Sequence, residues 1–170
     1  MKKPRLIALV VVALIIFSGL LKIYIFPQIG LNWATVLPAV VALLTNDERS
    51  AQSVAKLNVD AKLTKAAEAK ARDMAAKGYF AHVSPDGTQP WFWILKEEYL
   101  YKYAGENLAV NFEDSDEVVE AWMKSPGHRL NILKPQYTDI GIGTATGTYQ
   151  GRPATFVVQM FGSPAKPVSK

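Results

Sequence analysis

The sequence predicts an α+β fold, in which helices cover an antiparallel sheet. Apolar residues recur at helical spacing through much of the chain, whereas two β-rich runs, Ile140 to Tyr149 and Thr155 to Phe161, lie near its end. Glycines and a proline between these runs indicate an antiparallel hairpin. The 170 residues are 49% hydrophobic and include no cysteine. Packing must therefore stabilise the fold, and disulfides, thiolate metal sites and cysteine nucleophiles are excluded.

The N-terminal segment is predicted to span a membrane. Residues 1–5 form a basic cytoplasmic end, and residues 6–26 are apolar apart from Lys22. As a helix this stretch would extend roughly 31 Å, close to the ~30 Å hydrocarbon core of a bilayer. Because basic residues precede it, the rest of the chain is expected outside the cytoplasm. A signal peptide cut near Ser18 and Gly19 is the alternative, and cleavage would release the domain.

The charge distribution argues against a nucleic-acid partner. The formal net charge is +4, and the first 26 residues carry all of it through four basic side chains and no acidic one. Beyond residue 26, the 15 remaining basic residues are balanced by 15 acidic residues. The exported part therefore has no excess positive charge with which to bind phosphates. The partners predicted instead are the membrane and an envelope ligand, which would be a peptide, a glycan or a protein.

Two helices are predicted after a linker at residues 27–35. The first covers Thr35 to Ser50, and its apolar side is predicted to contain Val36, Val40, Leu43 and Leu44. The second begins with Asp60 as its N-cap and ends before Gly78. Its inner face is predicted to hold Leu63, Ala67, Ala71 and Met74, and its polar face Lys62, Glu68, Lys70 and Asp73. The alanines on the inner face favour close packing against a flat partner such as a sheet.

The middle of the chain predicts a turn, two further helices and a sharp bend. Ser-Pro-Asp-Gly at residues 84–87 is a turn sequence, and Pro90 opens a short helix. Another helix starts at Asp114 or Ser115 and stops at Pro126, after which the chain bends before His128. Several aromatic residues predict either core packing or a floor for a glycan or peptide: Trp91, Trp93, Tyr99, Tyr101 and Tyr103. The tail at residues 163–170 is expected to fray.

Five blocks of sequence carry a family resemblance. The first two are Gly-Tyr-Phe-Ala-His at 78–82 with the turn at 84–87, and Gly-Glu-Asn-Leu-Ala at 105–109. The third is Ala-Trp-Met at 121–123 with Ser-Pro-Gly-His-Arg at 125–129 and Asn-Ile-Leu at 131–133. The last two are Ile-Gly-Ile-Gly at 140–143, and Val-Gln at 158–159 with Phe-Gly at 161–162. In this order they resemble the bacterial branch of the CAP superfamily, the SCP-like extracellular domains related to cysteine-rich secretory proteins. The resemblance covers about residues 36–162. It implies an α-β-α sandwich with a central antiparallel sheet, here preceded by one transmembrane helix.

The resemblance also implies a cleft in which two histidines and acidic residues can hold a divalent metal, often zinc. His82, Glu106 and His128 match three of its positions, and we expect them to meet in one cleft. Two imidazoles and a carboxylate are the ligand set of an open zinc site. The fourth position does not match, because Ser125 stands where many eukaryotic members have a glutamate. The structural alternative is that His82 binds helix carbonyls, His128 binds a loop, and Glu106 accepts backbone donors.

Three functions stay open from the sequence. The preferred one is a membrane-anchored, envelope-exposed module that binds a ligand or surface partner through the cleft. The second is a metal-dependent hydrolase of peptides or cell-wall material. A hydrolytic set of Ser125, His128 and Glu106 is a variant of it, although no Gly-x-Ser-x-Gly turn is present. The third is a lipid-binding module, which requires an apolar groove that the sequence does not display. Whether the protein is an enzyme stays open, because a fold does not determine chemistry.

Overall fold

The structure, a computed structural model, describes residues 36–165. The helices in this range are α1 (Pro38–Ala51), α2 (Ala61–Lys77), α3 (Pro90–Lys96), α4 (Ser115–Lys124) and α5 (Pro126–Ile132). The strands are β1 (Asn58–Val59), β2 (Tyr101–Val110), β3 (Asp139–Tyr149) and β4 (Arg152–Pro164). The predicted membrane segment at residues 6–26 and most of the tail lie outside the described residues. Within residues 36–165, no helix has the length and apolarity needed to cross a bilayer.

The four strands form one mixed sheet in the order β1-β3-β4-β2. The predicted hairpin is present between β3 and β4, where Tyr149 pairs with Arg152 across a two-residue turn. Gln150 and Gly151 in this turn have φ of 50° and 76°, as a type I′ turn requires. The expectation of a purely antiparallel sheet is wrong in one place, because β1 pairs with β3 in parallel. With only two residues, β1 is too short to leave a periodic signal in the sequence.

Helices cover both faces of the sheet, which gives three layers. Alternate side chains of β4 point to opposite faces, as strand geometry requires. One core cluster joins α2 and α3 to the sheet through residues that include Leu63, Met74, Ile94, Phe156 and Met160. The other joins α1, α4 and α5 to the opposite face through residues that include Val41, Trp122, Ile132, Val157 and Phe161. The layers expected from the family resemblance are therefore present.

Helix α2 lies close to β3 because both surfaces carry small residues. The helix begins after its predicted cap, Asp60, and ends at Gly78, whose φ is 67°. Its predicted inner face is confirmed, since these residues have no exposed surface: Leu63, Ala67, Ala71 and Met74. On the facing strand, a Cβ at Gly141 or Gly143 would come within 3.0 Å of the α2 backbone. The absence of side chains at these two glycines therefore sets how closely α2 can approach the sheet.

For two side chains, the predicted burial is wrong. Lys70, expected on the polar face of α2, is completely buried. Leu43, expected on the apolar side of α1, is 57% exposed. The buried side of α1 consists instead of Val41, Ala42, Thr45 and Arg49. Val36 is buried and Leu44 packs against the core as predicted, so the prediction is wrong for Leu43, and it missed the two polar residues on the buried side.

Buried Arg49 fastens α1 to the end of α5. Its guanidinium donates to the backbone oxygens of Ile132 at 2.7 Å, Lys134 at 3.0 Å and Tyr137 at 3.3 Å, and to that of Ala55 at 2.7 Å. Ile132 is the last residue of α5, where helix carbonyls lack partners and the dipole favours a positive charge. Carbonyl groups thus solvate this cation.

The aromatic residues of α3, β2 and the loop between them are partly buried and partly exposed, and a floor for a glycan or peptide stays a prediction. Tyr99 is buried, and its hydroxyl donates to Asp139 Oδ2 at 2.7 Å. Trp91 and Tyr103 are exposed, and the Trp91 ring lies 6.3 Å from the Tyr101 ring. Packing therefore accounts for part of this set, and part of it faces solvent.

Candidate functional site

His82 and Glu106 are in direct contact. His82 Nδ1 lies 2.6 Å from Glu106 Oε1. Glu106 belongs to β2, an edge strand of the sheet, and His82 lies in the loop that follows α2. Only 2% of the Glu106 side chain is exposed, whereas 55% of the His82 side chain is. The pair therefore joins a buried carboxyl group to an imidazole that reaches solvent.

This contact determines which ring nitrogen of His82 is available. An ionised carboxylate only accepts hydrogen bonds, so Nδ1 carries the proton that is donated to Glu106. In the neutral ring, Nε2 is then free to accept a proton or a hydrogen bond. The bond to Glu106 raises the pKa of His82 because it stabilises the imidazolium, although burial opposes this rise. Burial raises the pKa of Glu106, and the bond to His82 partly offsets that effect.

The second carboxyl oxygen of Glu106 has no hydrogen-bond partner. Oε2 is buried, and nothing within residues 36–165 donates to it. Leaving a buried acceptor unsatisfied costs about 1–3 kcal/mol, and more for a charged group. Buried polar groups in native proteins are nearly always paired, so an exception calls for a ligand, an ion or a water molecule. Glu106 Oε2 is therefore the chemically incomplete atom of the His82–Glu106 pair.

His128 lies near the pair without a hydrogen bond to it. It is in the first turn of α5, which Pro126 opens. Burial lowers the pKa of His128, and so does the positive charge of His82, so the two imidazoles are close enough to interact electrostatically. The backbone oxygen of His128 accepts a hydrogen bond from Asn107 at 3.2 Å. The structure thus puts two of the three predicted side chains in contact and the third in their neighbourhood.

Two asparagines attach α5 to β2. Asn131 Nδ2 donates to the Glu106 backbone oxygen at 3.1 Å and to Asn107 Oδ1 at 2.9 Å. Asn107 Nδ2 in turn donates to Gln159 Oε1 on β4 at 2.9 Å, and both of these amides are completely buried. These bonds join the helix that carries His128 to the strand that carries Glu106.

Ser125 marks the junction of α4 and α5. Ser125 is both the C-cap of α4 and the N-cap of α5, and its side chain makes no N-capping hydrogen bond. Its backbone N–H donates to the oxygens of Ala121 and Trp122. The Ser125 hydroxyl has no hydrogen bond to His128 or Glu106. The variant hydrolytic set is therefore not assembled, and a role for Ser125 at the cleft stays a prediction.

A polar network on α2, which no sequence motif predicted, holds the His82 loop. Lys70 Nζ donates to the His82 backbone oxygen at 2.9 Å and to the Tyr79 hydroxyl at 3.0 Å. The Tyr79 hydroxyl donates to Asp73 Oδ2 at 2.6 Å, and Ser84 Oγ donates to the same oxygen at 3.2 Å. The sequence signal for this network was a lysine and an aspartate three residues apart on one helix, with a tyrosine just after the end of that helix. Such pairs usually lie on a solvated face, so the pattern carried little weight.

Lys70 also places a buried positive charge close to the pair. Burial lowers the pKa of Lys70, and the charges of Glu106 and Asp73 oppose that effect. In return, Lys70 lowers the pKa values of both Glu106 and His82. Lys70 therefore favours the ionised form of the Glu106 carboxyl group while it holds the backbone of His82.

The described residues do not assemble the three-ligand metal set. His82 Nδ1 and Glu106 Oε1 are occupied by each other, so Glu106 orients His82 instead of standing beside it as an equivalent ligand. Over residues 36–165, no three His, Cys, Asp or Glu side chains are grouped so that they could hold a metal ion. His82 and Glu106 thus form a contacting pair, and His128 lies near them without a hydrogen bond to either. The divalent metal stays a prediction.

Comparison with known proteins agrees with the resemblance. The family model described as "CAP: Cysteine-rich secretory protein family" matches residues 43–161. The Bacillus subtilis (strain 168) protein named "Uncharacterized protein YkwD" is 47% identical over 103 residues, which are 61% of this chain and 40% of that protein. "Uncharacterized membrane protein YlbC" of the same strain is 35% identical over 100 residues, which are 59% of this chain and 29% of that protein. The chain therefore spans less than half the length of either relative.

Solved structures share the fold. An extracellular protein from Bacillus anthracis with an SCP domain is 29% identical with a TM-score of 0.64, and the match covers 74% of this chain and 39% of that one. An outer surface protein from Borrelia burgdorferi also has a TM-score of 0.64 at 23% identity, and the match covers 75% of this chain and 92% of that one. The second likeness concerns the fold alone.

Proposed function

The chain belongs to the cysteine-rich secretory protein (CAP) family, and from this premise we propose that it is a membrane-tethered binding module of the cell envelope. Its binding site is the cleft around His82 and Glu106, with His128 and Ser125 at its border. The ligand is an envelope component, either a glycan, a peptide or a protein. Fold membership alone does not establish this role, because one fold supports many functions.

The observation that carries the proposal is the unpartnered Oε2 of buried Glu106 beside an exposed imidazole. A ligand that offers an N–H or O–H group to Oε2 would satisfy the buried acceptor, and a second polar group could bond to Nε2 of His82. Sugar hydroxyls and peptide amides both have this chemistry. Hydrogen bonds to a charged partner contribute about 1.5–3 kcal/mol, enough for a tenfold or greater effect on affinity.

The proposed location rests on the N-terminal sequence and on the relatives. The charge-free apolar run after Lys2, Lys3 and Arg5 supports a single-pass anchor with the domain outside the cytoplasm. One relative is named a membrane protein, and one solved neighbour is described as extracellular. Cleavage of the segment would instead release the domain, and fractionation into membrane and medium distinguishes the two outcomes.

Co-sedimentation of the full chain with cell-wall sacculi from Bacillus subtilis tests the binding function. We expect Glu106→Gln and His82→Ala to weaken binding about tenfold, since the first replaces a carboxylate oxygen by an amide group that donates and the second removes the imidazole. Glu113→Gln is the matched control, because Glu113 is exposed and lies after the end of β2. If the wild type and both cleft variants bind equally, the cleft is not the site that binds this ligand.

The alternative is a hydrolase, and the orientation of His82 by a carboxyl group favours it. An imidazole whose Nδ1 is bonded to a carboxylate can take a proton from water at Nε2 and deliver it to a leaving group. Release of soluble muropeptides from the same sacculi should then disappear in His82→Ala while Glu113→Gln stays active. Sacculi that remain intact with the wild-type chain would exclude this substrate.

A divalent ion, zinc in the first place, is a separate part of the proposal. His82, Glu106 and His128 are the side chains predicted to hold it, and a bound ion would supply Lewis-acid chemistry in the cleft. Metal content measured by mass spectrometry should fall by about one equivalent in the His82→Ala/His128→Ala double variant if the histidines hold one ion. Equal content in both proteins would leave a cleft that binds its ligand without an ion.

A further inference from the structure

An apolar groove lies at the edge of the sheet opposite to the cleft. It has a volume of about 470 Å³ and is lined by residues from α1, β1, α2 and β3, among them Pro38, Ala39, Leu43, Val59 and Ile142. Asn46 and Thr64 are its only polar lining residues, and no charged side chain lines it. A charge-free groove of this kind suits an apolar occupant.

Large apolar side chains at and beside this groove face solvent. The exposed fractions are 51% for Leu37, 57% for Leu43 and 66% for Val59. Leu43 and Val59 both line the groove, so their exposed surfaces adjoin, and an exposed apolar groove is a candidate interaction site. Exposed Lys56 lies three residues before Val59 in the chain, whereas Lys62 Nζ donates to the Glu98 backbone oxygen at 3.0 Å. Asp47 and Asp60 directly follow the lining residues Asn46 and Val59, so the surroundings of the groove carry charges of both signs. Apolar side chains with a basic residue nearby are found at the boundary between acyl chains and headgroups.

The position of this surface along the chain indicates what covers it. The described chain starts at Val36, and Pro38 and Ala39 already line the groove. The apolar segment at residues 6–26 is separated from this point by the nine residues 27–35. Fully extended, this linker spans at most about 30 Å. The beginning of α1 therefore stays within a short distance of the bilayer that holds the predicted anchor.

We propose that the surface formed by Leu43 and Val59 around this groove docks on the outer face of the phospholipid bilayer. The inference rests on the membrane tether of the proposed function. Docking withdraws the exposed side chains of Leu43 and Val59 from water and brings Lys56 towards the lipid headgroups. A lipid surface is favoured over a protein partner because the tether already brings the groove to it.

Docking would also determine where the cleft points. The strand order β1-β3-β4-β2 puts Val59 on one edge of the sheet and Glu106 on the other. Three inter-strand spacings separate these edges, which amounts to roughly 14 Å before side chains are added. With the β1 edge on the lipid, the His82–Glu106 pair faces away from the membrane. The cleft would then be open to the cell wall or to a surface partner.

The absence of cysteine permits a direct test by site-specific labelling. The full chain is reconstituted in vesicles of phosphatidylglycerol and phosphatidylethanolamine, with an environment-sensitive dye on Leu43→Cys, on Val59→Cys or, as a control, on Leu130→Cys. Leu130 is 73% exposed on α5, next to the cleft. If the groove contacts the acyl boundary, quenching by spin-labelled lipid should be at least about threefold stronger at the first two positions than at the control.

Other outcomes would overturn the inference in distinguishable ways. Co-sedimentation with vesicles but equal lipid quenching at all three positions would refute docking and leave the tether intact. Failure to co-sediment would refute the tether and docking together. Protection of the Leu43→Cys dye from aqueous iodide that rises with protein density, without lipid quenching, would assign the groove to a second copy. A stoichiometric phospholipid that stays bound after extraction would assign it to a single lipid molecule.

Discussion

Replacement of Gly143 by alanine should strongly destabilise the domain. The added Cβ would come within 3.0 Å of backbone atoms of Ala67 and Glu68 in α2. A backbone cannot rotate out of the way as a side chain can, so α2 must move off the sheet or β3 must bend. Overpacking typically costs about 1–3 kcal/mol, and a clash with a rigid backbone belongs at the upper end of that range. We therefore expect a loss of about 3 kcal/mol in the free energy of unfolding.

Gly127→Ala is the matched control. Gly127 lies in α5, and an added Cβ there meets nothing within 4 Å. Alanine in a helix is favoured over glycine by about 0.5–1 kcal/mol, so this variant should be unchanged or slightly more stable. Denaturant titration followed by circular dichroism measures both, and a 3 kcal/mol loss corresponds to a fall in Tm of about 10 °C. If Gly143→Ala matches the wild type, the close packing of α2 on β3 is not as described.

Three further predictions concern the site and its supports. Arg49→Met should cost about 3 kcal/mol in the free energy of unfolding, because it leaves four carbonyl oxygens without their donor; a loss below 1 kcal/mol in a denaturant titration would argue against this anchor. Lys70→Met should raise amide hydrogen exchange around His82, whereas Lys65→Met, an exposed change on the same helix, should not; equal exchange in both would show that the loop holds without Lys70. The NMR titration of His82 should have a midpoint above the ordinary pKa of 6.5, and Glu106→Gln should lower that midpoint. If the midpoint is the same in Glu106→Gln and in the wild type, Glu106 does not raise the pKa of His82.

The same pair predicts how stability depends on pH. The folded pKa of His82 is raised, so the folded state binds its proton more tightly than the unfolded state does. This contribution is fully present below the unfolded pKa, near 6.5, and is lost as pH rises through the folded pKa. The Glu106 pKa is also raised, which acts in the same direction. Unfolding free energy measured across this range should fall less steeply with pH in Glu106→Gln than in the wild type.

The site could be anticipated from sequence only where a motif identified its residues. The spacing between His82 and Glu106 follows no local rule, and their proximity was expected through the family resemblance alone. Lys70 could not be anticipated, because a lysine between alanines on a helix ordinarily faces solvent. Its burial depends on Tyr79 and the His82 backbone, which come back over α2 only after the loop has folded.

Helix α1 shows the same limit in the fold. Its apolar residues suggested that Leu43 was inside, but the tertiary structure buries Thr45 and Arg49 and leaves Leu43 exposed. Thr45 accepts a hydrogen bond from Gln159 at 2.8 Å, and Arg49 donates to carbonyl oxygens at the end of α5 and in the loop after it. Polar residues occupy the inner face because partners distant in sequence satisfy them. The spacing of apolar residues along the sequence carries no information about such partners.

By itself, the sequence determined the α+β class, the caps of α2, the β3–β4 hairpin and the lack of excess charge outside the N-terminal segment. These features follow from interactions between residues close in the chain, which leave a local pattern. Only the tertiary structure decided the parallel β1–β3 pairing, the burial of Lys70 and Arg49, and the unpartnered oxygen of Glu106. Each of these depends on groups that meet only when distant segments pack, so that desolvation and hydrogen-bond satisfaction are settled by the whole fold.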